Sequence, residues 1–301
     1  MDIRFDGRVA VVTGAGSGLG RSHALFFASR GAKVAVNDLG GGVDGSGQSS
    51  KAADLVVQEI KAAGGQAIAN YDSVADAKGA QNLIDRTLQA FGQVDILVNN
   101  AGILRDKTFA KMTLADFEKV VAVHFLGSVY VTKAAWPVMQ ERLYGRVVMT
   151  TSAAGLYGNF GQTNYGAAKL AVVGFMNALK LEGQKFNILV NTIAPVAATR
   201  MTEGLLPPQA LDRLKPDLVT PAVAYLCSEQ CRDSGQVIDA GGGYYARTQL
   251  MESPGIRFDP SQPVTPEMLA AQWSRITDMS GARGFAAANE EVMQVFQGLG
   301  K

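Results

Sequence analysis

Short apolar runs alternate with longer mixed polar and apolar segments along most of the chain. Seven of these runs are rich in valine and isoleucine: RVAVVTG, KVAVNDL, QAIANYD, VDILVNN, GRVVMTTS, NILVNTIAP and QVIDAGG. They are continuous rather than strictly alternating, which is typical of strands that are covered on both faces of a sheet. The pattern therefore predicts a parallel sheet at the centre of the protein.

The segments between these runs have helical length and carry typical helix ends. Helices are predicted over residues 50–63, 76–91, 113–142 and 164–183. Strands that alternate with helices, joined by right-handed crossovers, give a sheet with helices on both faces. The predicted fold class is α/β, a doubly wound parallel sheet in a single Rossmann-like domain with a C-terminal extension.

The alternation of apolar runs and helix-length segments ends after about Gly243, where loop-forming residues become frequent. We expect a domain over residues 1–243 and an extension over 244–301, with helices near 266–279 and 289–299. The extension is too short and too rich in proline to form an α/β domain of its own. We expect it to pack on the body or on a neighbouring subunit.

Composition narrows the possible partners. The chain has 47% hydrophobic and 18% charged residues and a net charge of +1, so nothing points to nucleic acid or to an anionic membrane surface. No apolar run is long enough to span a membrane, and no room precedes the first strand for a signal peptide. Two cysteines, Cys227 and Cys231, make a poor metal site with only two histidines in the chain. We interpret them as buried thiols, expect no metal, and expect a cytoplasmic location.

The first predicted strand leads into a glycine-rich loop, TGAGSGLG, and a helix follows at once. The spacing is T-G-x-x-x-G-x-G rather than G-x-G-x-x-G. Glycines in such a loop permit a tight turn and close approach of a pyrophosphate to the helix N-terminus, although a purely structural turn is the alternative. The loop residues expected to contact a dinucleotide are Gly14, Ser17, Gly18, Leu19 and Gly20.

The second predicted strand ends at Asp38. A carboxylate at this position can accept hydrogen bonds from the adenosine ribose and repels a 2′-phosphate. No lysine or arginine lies between Val34 and Ser50 to bind such a phosphate. The sequence therefore favours NAD over NADP, with a loop-starting role for Asp38 as the alternative.

Two further strand ends carry small or polar residues. We expect the ends of the third and fourth strands to contact the adenosine part of the cofactor, because ligands bind at the carboxyl ends of strands in open α/β sheets. The residues concerned are Asp72, Ser73, Val74, Asn100, Ala101 and Gly102.

A tyrosine and a lysine lie four residues apart in the segment NYGAAK. On a helix Tyr165 and Lys169 share a face. A neighbouring ammonium and a positively charged nicotinamide favour the phenolate, which can take a proton from a secondary alcohol while hydride leaves for NAD. Ser152, after the fifth strand, can hydrogen-bond the same substrate oxygen. An ordinary surface pair is the alternative for Tyr165 and Lys169.

These motifs together resemble the classical short-chain dehydrogenase/reductase family. TGAGSGLG, NNAG, Ser152 and YGAAK carry the resemblance, which covers about residues 5–243. It implies catalytic roles for Ser152, Tyr165 and Lys169, with Ser152 and Tyr165 also binding substrate, and a homodimer or homotetramer. It further implies that the cofactor contacts include Tyr165, Lys169, Pro195 and Thr199.

Where most of the family carries an asparagine on the long middle helix, this sequence has His124. A packed, hydrogen-bonded histidine is one interpretation, and a general base is the other.

A narrower resemblance covers nearly the whole chain. NDLGG, ANYDSV, NAGILRDKTFAKM, VHFLGS, YGNFGQTNYGAAKL and PEMLAAQWSRITD are similar to the (3R)-hydroxyacyl-CoA dehydrogenase part of peroxisomal multifunctional enzyme type 2. This implies oxidation of a (3R)-3-hydroxyacyl-CoA with NAD. Residues 199–216 would form a lid, in which Met201, Leu205 and Leu206 could meet an acyl chain. The alternatives are a hydroxysteroid or other secondary-alcohol dehydrogenase and a non-catalytic NAD sensor or assembly subunit.

Overall fold

An eight-stranded sheet forms the centre of the protein. The strands are β1 (Val9–Thr13), β2 (Lys33–Asn37), β3 (Gln66–Asn70), β4 (Ile96–Asn99), β5 (Gly145–Thr150), β6 (Ile188–Pro195), β7 (Val237–Gly241) and β8 (Tyr244–Thr248). In the computed structural model, which describes residues 2–199 and 212–296, they lie in the order β3-β2-β1-β4-β5-β6-β7-β8. Pairing is parallel from β3 through to β7. The predicted doubly wound, Rossmann-like fold is confirmed.

Helices of the large unit cover the two faces of this sheet in its parallel part. The α-helices among the described residues of that unit are α1 (Gly18–Ser29), α2 (Lys51–Ala62), α3 (Ala77–Phe91), α4 (Leu114–Val121), α5 (Gly127–Glu141), α6 (Ala153–Tyr157), α7 (Thr163–Gly183) and α8 (Thr220–Leu226), and those of the small unit are α9 (Pro266–Ala271), α10 (Trp273–Ile276) and α11 (Ala288–Phe296). Local capping explains several ends. The Asp76 carboxylate accepts from the Lys78 and Gly79 amides at the start of α3, and Gly92 ends that helix in the left-handed conformation.

The sheet separates two apolar layers, which is why its strands are mostly apolar. Ala10 and Val12 of β1 belong to one buried cluster, and Val11 between them belongs to the other. All five residues of β1 and all six of β5 are buried. Successive side chains of a strand point to opposite faces, so a strand with helices on both sides is mostly apolar. Thr13 of β1 and Arg146 of β5 are buried polar exceptions, and the Arg146 guanidinium donates to backbone carbonyls.

The long middle helix predicted over residues 113–142 is interrupted. Thr113 caps α4 through its hydroxyl, which accepts from the Asp116 amide at 3.1 Å. A π-helical turn, Ala122–Leu126, then joins α4 to α5. Such turns widen the helix by one residue and are frequent at functional sites. His124 lies in this turn.

The edge strand β8 was missing from the seven predicted strands, and the prediction of loop from Gly243 onward is wrong for this segment. Gly242 and Gly243 have φ values of 59° and 84°, which is the conformation of a two-residue hairpin turn. Tyr244 and Tyr245 are 68% and 47% exposed, so β8 lacks the apolar run by which a buried strand is found.

The chain divides into a large compact unit that ends at Arg247 and a small one that begins at Thr248. In the small unit, the helix predicted over 266–279 is broken at Gln272 into α9 and α10. Within the described residues, no helix is long and apolar enough to cross a membrane. Among the same residues no group of His, Cys, Asp and Glu side chains could hold a metal ion.

Candidate functional site

A cavity opens at the carboxyl ends of β1 to β4, within the large unit. Twelve of the residues predicted to contact the cofactor line it: Gly14, Ser17, Gly18, Leu19, Asp38, Asp72, Ser73, Val74, Asn100, Ala101, Gly102 and Thr199. Residues that the sequence did not single out line it too: Asn37, Leu39, Gly41, Gly42, Val43, Gly45, Ile103, Lys119 and Val123. The other predicted contacts, Gly20, Tyr165, Lys169 and Pro195, lie outside its lining.

The glycine-rich loop and the end of β4 touch backbone to backbone. Gly14 has a φ of 61°, and a Cβ there would lie 2.7 Å from the Cα of Ala101. A Cβ on Gly20 would lie 2.2 Å from the Gly14 carbonyl oxygen. Gly20 therefore packs against the backbone of the loop and does not line the cavity.

Asn100 holds these two segments together. Its side-chain amide donates to the carbonyls of Thr13 and Gly14 at 3.0 and 3.1 Å. The Thr13 hydroxyl in turn accepts from the amides of Asn100 and Ala101. The side-chain amide of Asn100 is thus engaged within the protein.

The residues present fit an anionic dinucleotide. Helix α1 begins at Gly18, in the cavity wall, and its first turn has no acidic residue. Its N-terminal amides and dipole therefore favour a pyrophosphate.

Asp38 has two roles in the geometry of the cavity. Its carboxylate accepts from the Gly16 amide at 2.7 Å and from the Gly40 amide at 2.6 Å, which is the loop-starting role given as an alternative. The same side chain lines the cavity. A Cβ on Gly16 would lie 2.8 Å from the carboxylate, so the loop fits closely around a fixed negative charge.

The segment 40–50, called the strap below, has the sequence GGGVDGSGQSS, a composition that predicts a flexible loop. In the structure it forms part of the cavity wall. The Val43 carbonyl accepts from the Leu104 amide at 2.8 Å, and a Cβ on Gly45 would lie 3.0 Å from Ile103. Nothing in the polar, glycine-rich sequence of the strap indicates this contact, because the contacting residues, Ile103 and Leu104, are far away in the sequence.

Ser152, Tyr165 and Lys169 come together where α6 crosses α7. A Cβ on Gly155 would lie 2.8 Å from the Cβ of Lys169, so the glycine allows a close crossing. Ser152 caps α6 and also forms a hydrogen bond with the Tyr165 phenol. The Lys169 ammonium is 3% exposed, donates to the Thr150 carbonyl at 2.6 Å and lies 5.5 Å from the centre of the Tyr165 ring.

Burial, rather than the charge of the neighbouring lysine, has the largest effect on the pKa of Tyr165. It raises the pKa of Tyr165 above its ordinary value, while the hydrogen bond from Ser152 opposes the change. Burial also lowers the pKa of Lys169 to about 7. The expected lowering of the tyrosine pKa is therefore absent in the chain by itself, because both groups are removed from water.

His124 is packed and hydrogen-bonded. It is 2% exposed, and its Nε2 lies within hydrogen-bond distance of the Ile103 backbone. Burial holds its pKa well below the ordinary range, so the ring is neutral. Of the two interpretations offered by the sequence, the geometry fits the packed histidine.

The remaining predicted site residues lie near this group or outside the described part of the chain. Pro195 ends β6, beside the end of β5 that leads to Ser152. Met201, Leu205 and Leu206, in the predicted lid, fall within residues 200–211, which lie outside the described residues.

Comparison with known proteins places these features in a family. A family model described as short chain dehydrogenase matches residues 8–209. The chain belongs to the short-chain dehydrogenase family. A short-chain type dehydrogenase/reductase of Mycobacterium tuberculosis is 54% identical over 276 residues, which cover 92% of this chain and 96% of the relative.

Another short-chain dehydrogenase relative is a much longer protein. Peroxisomal multifunctional enzyme type 2 of Drosophila melanogaster is 51% identical over 290 residues, 96% of this chain and 48% of the relative. The full-length structure of that enzyme matches with a TM-score of 0.84 at 43% identity, covering 99% of this chain and 50% of that one. This chain thus spans about half the length of that relative.

A third comparison concerns the cofactor. A 7α-hydroxysteroid dehydrogenase in complex with NADH and 7-oxo glycochenodeoxycholic acid matches with a TM-score of 0.71 at 31% identity, over 80% of this chain and 95% of that one. The chain is therefore an oxidoreductase of small-molecule substrates, and its family and this neighbour support a nicotinamide cofactor, NAD(H) or NADP(H).

Proposed function

We propose that the protein oxidises a (3R)-3-hydroxyacyl-CoA to the 3-oxoacyl-CoA with NAD. The observation that carries this proposal is the buried contact of Ser152, Tyr165 and Lys169 at the sheet edge that also forms the cavity. The substrate class is supported by the similarity to multifunctional enzyme type 2 and to the peroxisomal hydratase-dehydrogenase-epimerases of Neurospora crassa and Saccharomyces cerevisiae.

The preference for NAD rests on Asp38. Its carboxylate lies in the cavity wall, fixed by two backbone amides, where it would accept from ribose hydroxyls. A 2′-phosphate at the same position would meet this charge at close range. The strap between Asp38 and Ser50 contains no cation to offset it.

The protein side of the proposed reaction follows from the three catalytic residues. Ser152 would hold the substrate oxygen through its hydroxyl, and Tyr165 as phenolate would take the hydroxyl proton. Lys169 as ammonium would favour that phenolate. A bound nicotinamide would supply the hydride acceptor and, in its oxidised form, a positive charge beside the phenol that offsets the effect of burial.

A second candidate is oxidation of a hydroxysteroid. The observation in its favour is the match to the 7α-hydroxysteroid dehydrogenase complex over 80% of the chain. The catalytic chemistry is identical, and only the surface that meets the substrate carbon skeleton would differ.

The test is a substrate panel with wild-type protein and Tyr165→Phe. We expect NADH formation from (3R)-3-hydroxyacyl-CoAs and a decrease of turnover by about 10²–10⁴-fold in Tyr165→Phe, with NAD affinity nearly unchanged. Tyr244→Phe, on the exposed edge strand β8, is the matched control and should retain full activity.

Three outcomes of this panel would contradict the proposal in different ways. Turnover of hydroxysteroids alone would favour the second candidate. Tight NAD binding with no turnover of either class would favour a non-catalytic sensor or assembly subunit. Near-full activity of Tyr165→Phe would overturn the role of the phenol.

We further propose a homodimer or homotetramer, with the extension over 244–301 packing on the body or a partner subunit. Support for assembly comes from exposed apolar side chains on α4 and α7, where Leu114, Leu170 and Leu181 are 77%, 43% and 50% exposed. Light scattering of the purified chain tests this, and a monomer would refute it.

The free thiols Cys227 and Cys231 support a reducing, cytoplasmic location, which localisation of a tagged chain would decide.

A further inference from the structure

Two neighbouring surface segments of the large unit carry most of its strongly exposed apolar side chains. They are residues 105–114, after β4, and residues 157–163, from the end of α6 to the start of α7, together called the aromatic surface below. Five large apolar side chains of the described residues are at least 70% exposed, and four of them lie here: Phe109, Leu114, Tyr157 and Phe160. Exposed apolar side chains that cluster in this way mark a surface that meets a ligand or a partner.

Hydrogen bonds join the two segments of the aromatic surface. The Lys107 amide donates to the Gly161 carbonyl at 2.9 Å. The buried side chain of Gln162 donates to the Asp106 carboxylate at 2.6 Å. Successive residues of one segment are thus bonded to successive residues of the other, so the exposed rings stand on a fixed backbone.

The aromatic surface adjoins the catalytic group and leaves the cavity free. Burial is the largest cause of the raised pKa of Tyr165, and the Asp106 carboxylate adds to it, which places that carboxylate near the phenol. Ser152 caps the helix α6 that ends at Tyr157. Among the described residues that line the cavity, none belongs to the aromatic surface. A dinucleotide in the cavity would therefore leave this surface open to the second reactant.

The charges of the aromatic surface favour an anionic ligand. Residues 105–114 carry three cations, Arg105, Lys107 and Lys111, against the single carboxylate of Asp106, and residues 157–163 carry no charge. Arg105 and Lys107 both donate to the Asp116 carboxylate of α4. The exposed side chain of Lys111 has no ion pair or hydrogen bond among the described residues. An anionic group can thus pair with Lys111 without displacing another partner.

We propose that the aromatic surface binds the coenzyme A part of the substrate, with Phe160 against the pantetheine arm and Lys111 paired with a phosphate. This inference rests on the proposed function for its substrate class. In a CoA thioester a long uncharged arm separates the reacting acyl group from the phosphates. Exposed rings next to the catalytic group suit the arm, and an unpaired cation farther along the same surface suits the phosphates.

Lys111→Glu tests the contact with phosphate. We expect the affinity for free coenzyme A to fall about tenfold, because the substitution replaces attraction by repulsion. Lys61→Glu, in the last turn of α2 and outside the aromatic surface, is the matched control and should bind coenzyme A as the wild-type protein does. Calorimetry measures these dissociation constants, and the wild-type affinity should weaken as salt is added.

Phe160→Ala tests the contact with the arm. We expect the affinity for coenzyme A to fall about fivefold, because the arm loses an apolar surface to cover. Phe160→Tyr should stay within about twofold of the wild-type protein, since it keeps the ring and its hydroxyl can remain in water. Phe160 is 89% exposed, so both variants should fold, which circular dichroism checks.

A pair of substrates separates recognition of coenzyme A from a structural disturbance. A CoA thioester and an N-acetylcysteamine thioester can carry the same hydroxyacyl group, and the second has no phosphate. We expect Lys111→Glu to lower kcat/KM about tenfold for the CoA thioester and by no more than about twofold for the other. A disturbance of the catalytic group would lower both values equally.

The outcomes that contradict this proposal differ from those that contradict the proposed function. Equal losses for the two thioesters in Lys111→Glu, or the same loss of coenzyme A affinity in Lys61→Glu, would overturn the site. Wild-type protein that oxidises both thioesters equally well would also overturn it and leave the proposed reaction in place. Wild-type protein that binds coenzyme A through Lys111 but oxidises neither thioester would refute the proposed function and leave the site intact.

Discussion

Burial moves the pKa values of the two central catalytic residues in opposite directions. It raises that of Tyr165 and lowers that of Lys169 to about 7. Near neutral pH the tyrosine of the free protein is a phenol, and the lysine is divided between ammonium and amine. The folded protein therefore keeps a buried charge at Lys169 at a cost in stability, offset in part by the Thr150 carbonyl.

Replacement of Lys169 by methionine should expose this cost as a pH-dependent difference in stability. The pKa of Lys169 is lower in the folded state, about 7, than the ordinary value of 10.5. Between these two values the unfolded chain binds the proton that the folded chain has lost, so wild-type stability rises with pH. We expect the stability of wild type relative to Lys169→Met to increase by on the order of 4 kcal/mol between pH 7 and pH 10.5.

Urea denaturation at several pH values measures this difference. Lys180→Met, on the same helix α7 and outside the catalytic group, serves as the control for loss of a lysine side chain from this helix. A flat difference for Lys169→Met across this range would mean that Lys169 keeps its ordinary pKa in the folded protein.

At the scale of elements, an arginine side chain and a backbone hydrogen bond join the strap to the segment that follows β4. The Arg105 guanidinium donates to the Asp44 carbonyl at 2.9 Å and to the Asp116 carboxylate at 3.1 Å. It thus joins the strap, the segment after β4 and the start of α4. Lys107 donates to the same carboxylate at 2.9 Å, and no contact of Lys107 with the strap is made among the described hydrogen bonds.

Arg105→Ala should release the strap from the cavity. We expect NAD affinity to fall by about three- to tenfold, mainly through faster dissociation, because a wall of the cavity loses a hydrogen bond to a charged group. Lys107→Ala is the matched control, since it removes a cation from the same carboxylate and should leave the dissociation rate unchanged. Stopped-flow displacement of NAD measures both. Equal rates in the two variants would show that the strap is held without Arg105.

The elements that the sequence predicted are those whose signals are local. The buried strands follow from unbroken apolar runs, and α3 follows from its caps at Asp76 and Gly92. The π-helical turn and the strap contact residues outside their own segments, and the edge strand β8 is too exposed to carry an apolar run. The strap at Val43, for example, is fixed by the amide of Leu104, and no pattern within the strap itself indicates this.

The predicted site residues divide in the same way. Motif spacing located the loop, the strand ends and the Ser152, Tyr165 and Lys169 group. It could not tell that Asn100 binds the protein itself, or that Lys119 and Val123 of the middle helix face the cavity. Nor could it give the sign of the pKa change at Tyr165, because burial is a property of the folded chain.

At the scale of the whole molecule, the order of the strands decides where the cavity lies. β1 pairs with β2 on one side and β4 on the other, and helices α1 and α5, which follow β1 and β4, pack on opposite faces of the sheet. A crevice opens between them at the carboxyl edge. Most of the large unit then serves to hold this edge rigid, with buried apolar layers on both sides of the sheet.

Ligand-linked stability of the whole molecule offers a test of the cofactor preference. A ligand at a hundred times its dissociation constant stabilises the folded state by about 2.7 kcal/mol. We expect NAD to raise the melting temperature of wild-type protein more than NADP at equal concentration. Asp38→Asn should narrow this gap or reverse it, because it removes the negative charge while retaining one acceptor oxygen.

A thermal-shift titration with both cofactors measures the difference between the increases in melting temperature that NAD and NADP cause, called the gap here. Asp54→Asn, in α2 and outside the cavity lining, is the charge-matched control and should leave the gap unchanged. The same preference for NAD in Asp38→Asn as in wild type would show that another part of the cavity discriminates against the phosphate.

The contact between Gly14 and Gly20 limits how this enzyme can be re-engineered. Since a Cβ on Gly20 would lie only 2.2 Å from the Gly14 carbonyl oxygen, not even a methyl group can be introduced there without moving the backbone. Libraries aimed at a new cofactor should leave these two positions invariant. Diversity belongs instead at Asp38, Leu39 and Val43, which line the cavity and already carry side chains.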